Sequence, residues 1–100
     1  MIQGTTPTFI LTLPDTVDLT TVHNMYFSLE QGTTKLRKTG DELLINGQEI
    51  SVYLTQAETL KFSTGRANLQ LNWTYPDGSR ACSNIVSVNV GLNLIKEVVS

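Results

Sequence analysis

The chain has little of the chemistry on which small proteins usually build an active centre. Its 100 residues include one cysteine, one histidine and one tryptophan, and only 16% are charged. A lone Cys82 cannot form an internal disulfide. A small β domain of this sequence must therefore rely on its core or on neighbours, as suits a reducing cytosol or a particle assembled there. Cations are scarce, seven against nine acids for a net charge of −2. That balance argues against a nucleic-acid partner, whose phosphates require a basic excess. No cation precedes Lys35, so the opening lacks the charged start of a secretory leader and none is expected. No apolar run approaches the roughly 18 residues that cross a bilayer, and membrane insertion is not expected.

What the chain does have is threonine, fourteen residues of it, at home on a half-exposed pleated surface and poorly placed inside helices. Short alternating runs recur between turn residues, the pattern of a sandwich or barrel. Phe9, Leu11 and Leu13 alternate with Thr8 and Thr12. Met25, Phe27 and Leu29 alternate with Tyr26, Ser28 and Glu30. A run from Thr33 to Lys38 has Leu36 as its only large apolar residue. Glu42–Ile45 and Glu49–Leu54 flank Asn46-Gly47, a strong hairpin signal because both residues tolerate the positive φ of a type I′ turn. Ala67, Leu69, Leu71, Trp73 and Tyr75 share a face opposite Asn68, Gln70, Asn72 and Thr74. Pro76-Asp77-Gly78-Ser79 is a turn. The run from Ala81 to Val90 is a last strand with Val86, Val88 and Val90 inward. Thr55 and Glu58 have the spacing of a capping box, predicting one helical turn near 55–60 that carries Leu60 and Phe62 over the core. At 11.0 kDa the chain allows one domain with a folded surface of about 5,600 Å². The fold expected is an all-β, immunoglobulin-like antiparallel sandwich of six or seven strands.

Candidate catalytic and metal-binding residues are few. His23 and Cys82 would make a nucleophilic pair only if the fold brought them together; the simpler reading has His23 at an exposed strand start and Cys82 as a small buried hydrophobe. Asp15 and Asp18, and the adjacent Asp41 and Glu42, lack the spacing of a calcium loop, and Asp18 is better read as a cap over Thr20-Thr21. No cofactor is expected. Lys35, Arg37 and Lys38 form the one basic cluster, on a weakly apolar strand of the kind that protects a sheet edge. Trp73, in phase with Leu69 and Leu71, reads as core filler. Tyr26, Tyr53 or Tyr75 would have to serve as stacking platform if the domain bound host-surface carbohydrate, the alternative function considered.

The ends are unusual. Residues 1–7 form a polar, uncharged arm, and residues 91–100 carry Leu92, Leu94, Ile95, Val98 and Val99 beyond the last strand. Such leftover apolar residues mark an interface; their spacing of three and four slightly favours a short helix. The opening Met-Ile-Gln-Gly-Thr-Thr-Pro-Thr, the strand ending Leu13-Pro14, the segment Leu54–Phe62 and the run Gly65–Trp73 resemble a family of small phage and prophage virion proteins of Gram-positive hosts. More remotely, the chain resembles the amino-terminal sandwich of phage baseplate upper proteins. The resemblance spans nearly the whole chain. It implies a non-enzymatic virion component, of tail or baseplate type, assembled in the bacterial cytoplasm with other virion proteins or with itself. No catalytic residue carries over.

Overall fold

Alternation along the chain becomes two facing sheets. The computed structural model describes all 100 residues. Its strands are β1 (Thr8–Thr12), β2 (Asn24–Gln31), β3 (Thr34–Thr39), β4 (Leu43–Asn46), β5 (Glu49–Tyr53), β6 (Gly65–Thr74), β7 (Arg80–Cys82) and β8 (Val86–Val90), with one α-helical turn, α1 (Gln56–Thr59), and 3₁₀ turns at Leu19–Thr21 and Gly40–Glu42. One antiparallel sheet runs β1-β5-β4. The other runs β3-β2-β6, and β7 and β8 share the remaining edge of β6. This is the order of an immunoglobulin sandwich: β1, β5 and β4 stand where strands B, E and D do, and β3, β2, β6 and β7–β8 where C′, C, F and G do. Strand A is the one without a counterpart.

The inward phase is the expected one. Phe27, Leu29, Ile50, Val52, Leu54, Leu69 and Leu71 are fully buried, and Trp73 is 3% exposed. Phe9 leans on Phe27 with ring centroids 6.0 Å apart. Trp73 lies opposite Met25 and donates its indole N–H to the Tyr75 hydroxyl at 3.0 Å, which satisfies the one polar atom its burial would strand. α1 forms as its capping box requires: Thr55 Oγ1 accepts from Glu58 N at 3.2 Å and Glu58 Oε1 from Thr55 N at 2.8 Å. Phe62 is buried beneath it. Thr55→Ala is expected to cost about 1 kcal/mol in chemical denaturation. Glu58→Ala costs more than that, because the same carboxylate also holds Lys38.

Several local expectations are corrected. The β4–β5 hairpin is present, but Asn46 pairs with Glu49, so the central residues are Gly47 and Gln48. Only Gly47 has positive φ, +60°, and a glycine at the first central position is the type II′ arrangement. The predicted last strand is two strands. Between the pairs Cys82↔Asn72 and Val86↔Leu69 the outer strand advances four residues against three, a β-bulge. Ser83 makes it: its N–H donates to Leu71 O and its Oγ accepts from Leu71 N, each at 2.9 Å, so a hydroxyl replaces a ladder carbonyl. Val90 is buried, while Val86 is half exposed beside the bulge. Cys82, expected to be buried, is exposed.

The basic cluster divides as well. β3 is an outer strand, with Lys35 and Arg37 exposed along it. Lys38 instead points inward, 8% exposed, and its Nζ lies 2.7 and 2.9 Å from the Glu58 oxygens and 3.8 Å from Glu42. Burial pushes the Glu58 carboxyl up. Hydrogen bonds from Lys38 and from Thr55 N, with the Lys38 charge, outweigh that and hold it below the ordinary glutamate range.

Candidate assembly surface at the carboxy terminus

The two ends of the chain meet at the α1 end of the sandwich. Met1 O accepts from Gly91 N at 2.7 Å and Gly91 O from Gln3 N at 3.0 Å, forming a parallel bridge between Ile2 and Gly91. The arm expected to be poor in core signal is therefore tied down. Gln3 is buried and donates its side-chain amide to Phe62 O at 2.7 Å. Beside it, Thr59 is fully buried and donates its hydroxyl to Thr5 O at 2.8 Å.

From Gly91 the chain continues without regular structure over this end, not as the helix that the apolar spacing favoured. Polar side chains capture the backbone groups that a helix would need. Asn93 Nδ2 donates to Gln3 O at 2.9 Å, and Asn93 Oδ1 accepts from Ile95 N at 3.1 Å. Gln56 takes both backbone groups of Val99, accepting from its N–H and donating to its carbonyl, each at 2.9 Å. β-Branched Ile95, Val98 and Val99 weaken the helix further. The result inverts the usual arrangement. Polar groups hold the segment down, and Leu92, Leu94, Ile95, Val98 and Val99 are all exposed, Leu94 to 90%. The total accessible surface, 6303 Å², exceeds the roughly 5,600 Å² expected for this mass, in keeping with an open segment.

Other sequence candidates are dispersed. His23 borders a shallow cleft with Thr20, Tyr75 and Asp77, whereas Cys82 borders a different one between the sheets. Hydrogen bonds from Ser79 Oγ and N, at 2.6 and 2.9 Å, hold the exposed Asp77 carboxyl below its usual range. Asp18 caps a 3₁₀ turn, Leu19–Thr21, through Thr20 N at 3.0 Å. Glu42 accepts from Thr39 N at 3.0 Å. No three His, Cys, Asp or Glu side chains gather at one point. The tyrosines do not share a face. Tyr53 is exposed on the outer side of β5, Tyr75 packs against the core margin, and Tyr26 lines a polar hollow of about 400 Å³ on the outer face of the larger sheet with Ser28, Arg37, Asn72, Thr74 and Arg80. In that hollow, Arg80 is fixed by two donations to Asn72 Oδ1, at 2.9 and 3.2 Å.

Sequence reasoning found the exposed strip but missed what fixes it. Gln3, Gln56 and Asn93 act on backbone far away in sequence, and no local spacing marks a glutamine for that work. No protein-family model matches the chain, and no curated protein or solved structure matches it.

Proposed function

We propose that this protein is a non-enzymatic structural component of a phage or prophage virion, acting through protein–protein assembly with itself or with other virion proteins. The observation that carries the reading is the inverted carboxy-terminal segment. Five apolar side chains face solvent while polar ones secure the backbone, a contiguous exposed strip of the kind that a partner normally covers. The resemblance of Met1–Thr8 and Leu54–Phe62 to small virion proteins supports the particle as its setting, with assembly in the host cytoplasm.

Deleting residues 94–100, which spares the Gln3–Asn93 bonds, tests it. The truncated chain is expected to melt as a folded monomer, while the full chain sediments as oligomers or co-sediments with its particle. Unfolding of the truncated chain, or unchanged association, would refute the reading.

The second reading, recognition of host-surface carbohydrate, rests on the hollow around Tyr26, where amide, hydroxyl and guanidinium groups surround its ring. Arg80→Ala and Tyr26→Ala should then weaken glycan binding in an NMR titration without changing association. Binding untouched by both substitutions would remove the hollow from consideration.

A further inference from the structure

The sandwich has an opening on the side opposite the β3 and β4 edges. β1 pairs with β5 alone, and its five residues take part in none of the turn, loop or cap backbone bonds. The edge that faces it across the interior is interrupted by the bulge at Ser83. Between them lies a cleft of about 390 Å³, lined mostly by apolar residues, among them Leu11, Leu13, Leu71, Trp73 and Val86. This is where an immunoglobulin sandwich would seat strand A. The amino-terminal arm occupies only the upper part of that position, through the Ile2–Gly91 bridge.

We propose that this cleft receives the carboxy-terminal segment Leu94–Val99 of a second copy as an added extended strand along β1, so that copies join head to tail. The inference rests on the assembly reading and assigns it a receptor and a polarity.

Three observations select this occupant. The first is position. Thr8 pairs with Tyr53, just before α1, so the segment held by Gln56 sits at the start of β1, whereas the cleft is lined by Leu11, Leu13, Pro14 and Val17 at its far end. The chain's own arm lies between the two, so its own segment is kept out and a neighbour's is not. The second is chemistry. None of the residues lining the cleft is charged, and an extended segment turns Leu94 and Val98 to the cleft together with Lys96, whose long stem carries its ammonium to the rim, while Ile95, Glu97 and Val99 face outward. Asp15 and Asp18, exposed beside Pro14 and Val17, are carboxylates available to Lys96. The third is how the segment is held at home: within Leu94–Val99, Gln56 on Val99 supplies the hydrogen bonds to the body, and Asn93 on Ile95 is a local contact inside the tail. Strand addition replaces such bonds with ladder bonds to β1 and covers Leu94 and Val98. Donor and receptor are different surfaces, so the contact is heterologous and generates a ring or a filament.

Cys82 borders the cleft and is the only thiol, which makes the test direct. Leu94→Cys, oxidised under mild conditions, should give a ladder of disulfide-linked trimers and larger species on non-reducing gels. Because Cys82 is exposed, the same variant carrying Val86→Arg, which keeps both thiols, should lose the ladder, and the one carrying Cys82→Ser should stop at dimers. In sedimentation, Val86→Arg, at a half-exposed position, should weaken association at least tenfold with its melting curve retained, and Leu44→Lys on the outer face of β4 should leave association unchanged. Dimers alone from Leu94→Cys, a ladder that survives Val86→Arg, or native association by Val86→Arg, would overturn the proposal. If deletion of 94–100 abolishes association and these cleft results are negative, the assembly reading stands and this receptor is wrong. A full chain that stays monomeric at millimolar concentration overturns this receptor, and one that also fails to co-sediment with its particle sinks the assembly reading as well.

Discussion

Trp73→Ala is expected to cost about 3–5 kcal/mol, close to the whole stability of a domain this small. Trp73 is 3% exposed on the inner face of β6, flanked by its ladder partners Met25 of β2 and Ala81 of β7. Truncation leaves a cavity beside Leu71 and strips Tyr75 of the indole donor held at 3.0 Å. Trp73→Phe keeps most of the volume and loses only the hydrogen bond, so it should cost about 1–2 kcal/mol. Chemical denaturation of the pair separates packing from polarity. An alanine variant with unchanged melting would mean that the β6 phase is wrong.

Lys38→Ala is the second large effect, about 2–4 kcal/mol. The ammonium is buried and touches both oxygens of Glu58, itself only 19% exposed at its side chain. Removing the cation leaves a carboxylate with little water and half of its partners, which is why breaking such a pair costs more than the pair contributes. Lys38→Met, which fills the space, should cost less than Lys38→Ala. The pH dependence has a definite sign. Glu58 titrates lower in the folded state than unfolded, so its contribution is fully present above the unfolded value of about 4.3 and is lost as pH falls through the folded one. Between about pH 5 and pH 3 the native protein should lose stability faster than Lys38→Met. Parallel stability curves for the two would show that Glu58 owes nothing to Lys38.

Much of this architecture was legible in the residues because sandwich strands announce themselves by alternation, and β1, β2, β5 and β6 alternate cleanly. The capping box at Thr55 is equally local, since both partners lie within one turn. Three of the failures have a common cause: each depends on a partner that sequence spacing does not name. Lys38 reads as one of three surface cations until Glu58, twenty residues on, is found beneath it. The bulge at Ser83 needs the Leu71 backbone opposite. The carboxy-terminal segment is helical by spacing but is held without regular structure, its end fixed by Gln56, 43 residues before Val99. Its apolar strip was foreseen because exposed residues need no partner to be recognised. The cleft beside β1 was not, because it is made by a strand that the chain does not supply.

Hydrogen exchange across a range of protein concentrations tests most directly whether the molecule assembles through its carboxy terminus. The account predicts that the amides of Leu94, Lys96, Glu97 and Val98 exchange freely in dilute solution and that the segment gains protection as concentration rises, with β4 unchanged at every concentration. Protection of the segment that is full in dilute solution and constant thereafter would show that the strip belongs to its own domain and contradict the account.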